Sequence, residues 1–482
     1  MVMQRSETVY FEAVLASESG ESMFAPGTFL APENIEQFAP PAGRSAQAGT
    51  ALEGLGFRVR HIGSYSISGE APQGLWQEVF GTKVEEQSHP LSDAHPELGD
   101  VAFLSHIPDV PFDVPDRLSG LIDRAYPQRP PTLFESPLPP RVNYHHLRVP
   151  SDVAMILRAT AVHKAGITGS GVLVAMPDTG FYKHSFYEWH GYSYGATLSP
   201  DATDLEHDEH GHGTAEAANI FASAPDIDFI GVKMGGNATL AFKTASDLHP
   251  AVMTNSWGWS IQNPPLPNFL RPLEAAVIEA VRSRGITVCF SAGNGDYGFP
   301  GQMPDVISVG GVYSYDSLAG RDFKLEASDY ASSFDSQIYP GRHVPDLCGL
   351  VGMQPGAIYI MLPVQPGDTI DEGLAGSPYP NKDETQKDDG WAVISGTSAA
   401  SPQVAGVCAL LKQVQPALSP ALVKSILKAS ARDVVDGKSS HGQAAGKGHD
   451  GATGAGLVDA EAGYRLARSI TPRDLFTIPS PR

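Results

Sequence analysis

The sequence predicts an α/β fold: a doubly wound, mainly parallel sheet with helices on both faces, preceded by a small α+β domain. Three observations predict it. From about Val153 onward, short continuous apolar runs alternate with helical stretches, as buried parallel strands and their crossover helices do. Between Tyr10 and Thr82 the pattern reads as βαββα. Between these regions lies AYPQRPPTLFESPLPPRVNYHH, Ala125 to His146, whose prolines forbid a helix or a central strand and predict an extended, exposed segment. The 482 residues therefore divide into a first domain at 1–124, a linker at 125–151, a main domain at 152–470 and a tail at 471–482.

In the first domain, Val9 to Leu15 is expected to be a strand and Ser45 to Leu55 a helix ended by Gly56. Phe57–Ile62 and Tyr65–Ser68 alternate like strands around a Gly63-Ser64 turn. Pro72 opens a helix with Leu75, Trp76, Val79 and Phe80 on its apolar face, and a closing strand is expected near Lys83. In the main domain the expected strands are GVLVAM (171–176), IDFIGVK (227–233), AVMTNS (251–256) and ITVCFS (286–291). HGTAEAANIFASA and LEAAVIEAVRSRG are expected helices. Gln365 to Gly390 is acidic and loop-like, and reads as a surface excursion.

A formal net charge of −21 argues against a nucleic-acid partner and against an anionic membrane surface. Three cysteines do not make a disulfide framework, and Cys289 and Cys408 sit in apolar runs as small buried hydrophobes. The first residues, MVMQRSETVYFEAVLASESGES, lack the charged and apolar regions of a secretory signal. No apolar run reaches about 18 residues, so no spanning helix is expected. Cytoplasmic synthesis is the expectation, with export by a non-classical route left open.

Three residues stand where an open α/β sheet places chemistry, just past the C-terminal ends of strands. Asp178 follows GVLVAM in the phrase MPDTGF. His212 lies between two glycines in DEHGHGTAEAAN. Ser398 lies in SGTSAASP ahead of an apolar helix, where amide dipoles favour developing negative charge. Singly, each has an ordinary explanation: a turn aspartate, a structural histidine, an N-cap serine. Together they supply a hydroxyl nucleophile, an imidazole base and an orienting carboxylate.

The order Asp, His, Ser and the context of these phrases resemble the subtilisin-like serine proteases, the subtilase family. AGITGSGVLVAMPDTG, HGHGT, NSWG, SAGN, FPGQMPDVISVGGV, VPDLCGLVG, GTSAASP and GAGLVDAEAG carry the resemblance, over about residues 152 to 470. It implies a serine endopeptidase with Asp178, His212 and Ser398 as triad and Asn294 as oxyanion donor. It further implies a substrate-binding wall from Ser256, Trp257, Gly258, Ala292 and Gly293. Trp257 and Ala399 depart from the residues common in the family. The partner implied is a peptide or protein substrate. LEGLGFRVRHIGSYSISGEAPQGLWQEVFGT resembles the ferredoxin-like propeptides of subtilisin-like and sedolisin-like proteases, which implies that the N-terminal domain acts as an intramolecular inhibitor, with self-cleavage expected between Asp123 and Pro150. A dedicated processing protease and a non-catalytic binding protein are the competing functions.

No metal or cofactor is required by this chemistry. Calcium is common in the family, and the acidic loop near Asp383, Asp388 and Asp389 offers carboxylates for it against the simpler reading of a solvated charge run. His207, Asp208, Glu209, His210 and His212 could also be read as zinc ligands, but Gly-His-Gly-Thr explains His212 better. A neutral His212 is needed as base, so activity is expected to fall on acidification through about pH 6.5 if the imidazole is unperturbed.

Overall fold

A computed structural model describes residues 8–28, 30–31, 33–90, 100–106, 112, 114–130, 139–315 and 324–470. Residues 131–138 of the expected linker and the 471–482 tail lie outside the described residues. The chain forms two compact units, Met1–Pro137 and Leu138–Arg482.

In the first unit, strict alternation in Thr8–Leu15 points Val9, Phe11, Ala13 and Leu15 to one side, where all four are buried. They pack against Ala48 and Leu52 of helix Arg44–Gly54 and against Trp76 and Phe80 of helix Gln73–Phe80. The antiparallel sheet runs in the order Arg58–Ile62, Ser66–Pro72, Thr8–Leu15, Ile122–Pro127. The strand expected near Lys83 forms, as Val84–Pro90, but pairs with Asp100–His106 in a separate ribbon. Val84–Pro90 gives the core one buried side chain among those described, Val84, which Leu104 of the partner strand joins. Ile122–Pro127 closes the sheet instead, because Ile122 and Ala125 bring apolar side chains to it. Ala125 to Pro127 are therefore strand residues rather than linker. Pro127 is tolerated because the strand lies at the sheet's edge.

In the second unit the main sheet runs Leu325–Ala327, Ile307–Ser314, Thr287–Ser291, Val252–Asn255, Leu173–Asp178, Asp228–Lys233, Tyr194–Leu198, with Leu347–Leu350 also paired to Ile307–Ser314. Every pairing is parallel except that of Leu325–Ala327. The four expected strands are all present. Tyr194–Leu198 was not expected, because YGATL carries no continuous apolar run and each of its residues is only half-buried. Strand order reverses at Leu173–Asp178: the next two strands lie to one side of it and the later ones to the other. This is the switch point at which open α/β sheets leave a crevice.

Helix Thr397–Val414 is buried along nearly its whole length and packs beside helix His212–Ser223, itself buried beyond its first residue. Gly406 lets the two approach: a Cβ there would strike the Ile220 carbonyl and the Ser223 side chain of the facing helix. Cys289, Cys348 and Cys408 are free and buried. Among the described residues no helix is long and apolar enough to cross a membrane.

The Gln365–Gly390 excursion is turns and loop apart from one short helix, and several of its carboxylates are drawn inward. Asp368 caps the short helix Thr369–Leu374, and Asp371 and Asp383 are fully buried. Asp383 accepts from the backbone N–H groups of Thr385 and Val393, and Asp389 from those of Gln386 and Trp391. Asp383 organises backbone instead of facing water, because the N–H groups of Thr385 and Val393 that it accepts are buried and would otherwise be unpaired. Among the described residues no group of three or more His, Cys, Asp or Glu is placed to hold a metal ion.

Candidate active site

Asp178 ends its strand at the switch point. Its Oδ1 accepts from His212 Nδ1 at 2.7 Å and from the Thr179 N–H at 2.8 Å. Its Oδ2 is buried and has no hydrogen-bond partner among the described residues. His212 opens its helix immediately after Gly211, whose φ of +89° sets the entry angle. A Cβ on Gly211 would also collide with the Asp368 carboxylate, so the folded excursion reaches the base of the histidine.

Asp208 was weighed in the sequence only as a metal ligand. It is fully buried, and it fastens the two turns together. Oδ1 accepts from Thr179 Oγ1 and the Gly211 N–H; Oδ2 accepts from the Thr214 N–H and hydroxyl. No spacing rule marks such a residue, since its donors come from segments about thirty positions apart. His207 turns away to Asp204.

The imidazole of His212 keeps 21% of its side-chain surface exposed. Burial opposes charge there, but Asp178 and then Glu216 and Asp208 outweigh it and push the imidazole up to about 9. The imidazole is therefore not unperturbed: Asp178 raises it most, and two further carboxylates near the ring add to that. Glu216, one helical turn after His212, is one of these: it is buried, with Oε1 3.9 Å from His212 Nε2. Sequence reading passed over it as part of an alanine-rich helix.

Ser398 is the second residue of helix Thr397–Val414. Pro402 lies four residues on and has no N–H, so the Ser398 carbonyl loses its usual helical partner. Ser256 Oγ donates to that carbonyl at 2.8 Å, and Ser398 Oγ donates to the Ser256 carbonyl at 3.2 Å. The sequence SAASP thus ties the helix terminus to the NSWG strand end. Asn294 is exposed, yet its amide is oriented: Oδ1 accepts from the Thr397 N–H at 2.9 Å and hydroxyl at 3.1 Å, while Thr397 Oγ1 accepts from the Gly293 N–H at 3.1 Å. With the oxygen held, Nδ2 remains the free donor. Thr397, unmarked in the sequence, is the residue that decides this.

Ser256, Trp257, Gly258, Gly293, Asn294, Thr397 and Ser398 line one cleft of about 200 Å3. Trp259 and Phe299 add aromatic walls, and Asp296 is the only charged residue lining it among the described residues. The Trp257 indole N–H donates to the Pro177 carbonyl at 2.9 Å, which draws the ring against the strand that carries Asp178. Gly258 is required by close approach, since a Cβ would strike the Phe299 carbonyl. Ala292 does not line the cleft. It is buried with Phe334 and Val344, and its N–H donates to Val309. Asp178 and His212 are also outside the cleft walls.

An imidazole–carboxylate pair thus stands at the switch point of a parallel sheet, and a serine stands at a helix terminus beside a held amide. The Subtilase family profile matches residues 169–446, more than half of the chain, and the chain belongs to that family. It is 26% identical over 425 residues to M-protease of Shouchella clausii, covering 83% of this chain and 95% of that protein. It is 32% identical over 305 residues to serine protease AprX of Bacillus subtilis, covering 54% and 61%. Its fold is similar to that of Pseudomonas sedolisin, a serine-carboxyl proteinase solved with two molecules of pseudo-iodotyrostatin, with a TM-score of 0.51, 18% identity, and coverage of 68% of this chain and 99% of that one. The homologues are subtilisin-like serine proteases, and the expected α/β architecture and enzyme class are those of the chain.

Proposed function

We propose that the chain is an endopeptidase in which Ser398 attacks the scissile carbonyl, His212 takes its proton and returns it to the leaving amine, and Asp178 orients the imidazole. Asn294 Nδ2 and the Ser398 N–H receive the oxyanion. The observation that carries this reading is the 2.7 Å bond from His212 to Asp178. It fixes the proton on Nδ1 and presents Nε2 as the base. Ser398 Oγ is bonded to the Ser256 carbonyl in the free protein, and its turn toward Nε2 belongs to the substrate-bound state. An extended peptide pairs with the backbone of Ser256–Gly258 as an added strand.

A fluorophosphonate probe tests the reading. It should label Ser398 in the wild type and nothing in Ser398→Ala. A wild type that stays unlabelled while folded would return the non-catalytic alternative. The base must be neutral, so activity should fall as pH drops through the raised imidazole value of about 9.

A second reading concerns the N-terminal unit, which we infer to be an inhibitor in cis. Its support is the four-stranded antiparallel sheet, closed by Ile122–Pro127 beside Thr8–Leu15, with both helices in one core. A tethered segment competes with outside peptides at high effective concentration. Because Ile122–Pro127 is held in the sheet, the self-cleavage expected from the sequence moves to the segment after Pro127. Mass spectra of full-length wild type incubated beside Ser398→Ala test it: the wild type alone should lose this unit, and its activity should rise as it does. A wild-type chain that remains whole and fully active removes the inhibitor role.

A further inference from the structure

The triad reading leaves one buried ionisable group beside the base without a task. Glu216 sits four residues after His212, on the same face of the same helix. It is 1% exposed. A carboxylate so buried is costly unless something holds it. One oxygen, Oε2, accepts from Asn219 Nδ2 at 3.0 Å. Asn219 Oδ1 in turn accepts from Gln403 Nε2 at 3.2 Å, and Gln403 is clamped to both the N–H and the carbonyl of Leu350. Gln403 belongs to the helix that carries Ser398. The Glu216–Asn219–Gln403 chain therefore joins the histidine helix to the serine helix through their common core, and holds the carboxylate at a set depth.

The other oxygen, Oε1, is 3.9 Å from His212 Nε2. Asp178 meets the same ring at Nδ1. Each ring nitrogen thus faces a carboxylate. The other groups around the imidazole are Asp208 in the preceding loop, the His210 ring at 6.1 Å, and Asp368 behind Gly211. Asp208 is saturated by four donors. Among the described residues Glu216 has one hydrogen-bond partner, the neutral Asn219 amide, and burial pushes its carboxyl up to about 7; above that pH its charge acts on the imidazole.

We propose that Glu216 is a positioning residue for His212, a second carboxylate that favours the imidazolium formed when Ser398 transfers its proton. The step balances simply: the Ser398 O–H bond breaks, its proton binds Nε2, and the serine oxygen bonds the carbonyl carbon. Asp178 and Glu216 then flank the new cation. The arrangement sets where on the pH scale the base works. It rests on the reading of His212 as base, and it adds that an alkaline acid limb is a property of this helix.

The experiment is the pH profile of kcat/KM for wild type, Glu216→Gln and Glu216→Asp, with fluorophosphonate labelling run alongside. Glutamine keeps an acceptor for Asn219 and removes the charge. The acid limb should move to lower pH by about one unit in Glu216→Gln, with a lower plateau, and by less in Glu216→Asp. Labelling at Ser398 with an unmoved acid limb in Glu216→Gln overturns the inference and leaves the triad reading standing; absent labelling in wild type removes the triad reading itself. Should Glu216→Gln not fold, NMR titration of the His212 ring in the full-length wild type decides. An imidazole titrating at its ordinary value overturns the proposal, and one titrating well above it, with its shifts also following a nearby carboxyl, supports it.

Discussion

Asp178 and Asp346 are buried carboxylates of the same sheet, and their surroundings differ in one respect. Asp346, just before strand Leu347–Leu350, receives both arms of the Arg342 guanidinium at 2.6 Å each, Lys424 Nζ at 3.0 Å and the Ser308 N–H at 2.8 Å. Burial opposes its charge, but Lys424 and Arg342 outweigh burial and hold the carboxyl well below the usual carboxylate range. Asp178 has no permanent cation. Its one side-chain partner is the His212 imidazole, and its second oxygen is unpaired. A carboxylate neutralised by arginine and lysine stabilises the fold and does nothing else. One that faces only a titratable ring can stabilise a charge that appears during reaction. The difference lies in the partners, since both residues are aspartates at strand ends.

That contrast can be broken in four places. Asp178→Asn should leave a folded chain whose kcat falls by about four orders of magnitude, because an amide fails to hold the reactive tautomer; single-turnover kinetics on a peptide substrate would read it. Asp346→Asn should instead cost about 3–5 kcal/mol of stability, since it leaves Arg342 and Lys424 buried without their counter-charge. Denaturant titration measures this, and turnover per folded molecule should stay near wild type. If Asp346→Asn kept its stability and lost turnover, the division between the two carboxylates would be wrong.

The sign for Asp346 follows from its depressed carboxyl. Its stabilisation is present above the unfolded carboxylate value, about pH 4, and is lost as pH falls from there toward the folded value. The wild type should therefore weaken below about pH 4, and Asp346→Asn should lack that part of the slope.

Asn294→Ala should lower kcat by about a hundredfold to a thousandfold with KM little changed, as loss of one oxyanion donor does. The smallest effect is expected of Thr397→Val. It keeps the backbone N–H on Asn294 Oδ1 and removes the hydroxyl bonds to Asn294 and Gly293, and kcat should fall by about tenfold, the scale of one hydrogen bond. A Thr397→Val enzyme as impaired as Asn294→Ala would mean that threonine does more than aim the amide.

Local pattern determined much of this protein. Continuous apolar runs marked the central strands, because a parallel strand covered on both faces must be apolar throughout. The glycine-flanked His212, the strand-end Asp178 and the helix-start Ser398 were legible for the same reason: each depends on neighbours in sequence. What only the tertiary structure decided depends on distant partners. Asp208 reads as one more acidic loop residue until Thr179 and Thr214 fold onto it. Ile122–Pro127 replaces Val84–Pro90 as the closing strand because core area is counted across the whole sheet. Ala292 turns inward against Phe334, and Asp383 of the acidic run is buried because the Thr385 and Val393 N–H groups need an acceptor. Glu216 is the clearest instance. Its spacing from His212 was visible in the sequence, but its burial, and hence the strength of its charge on the imidazole, came from the packing of the serine helix against its own.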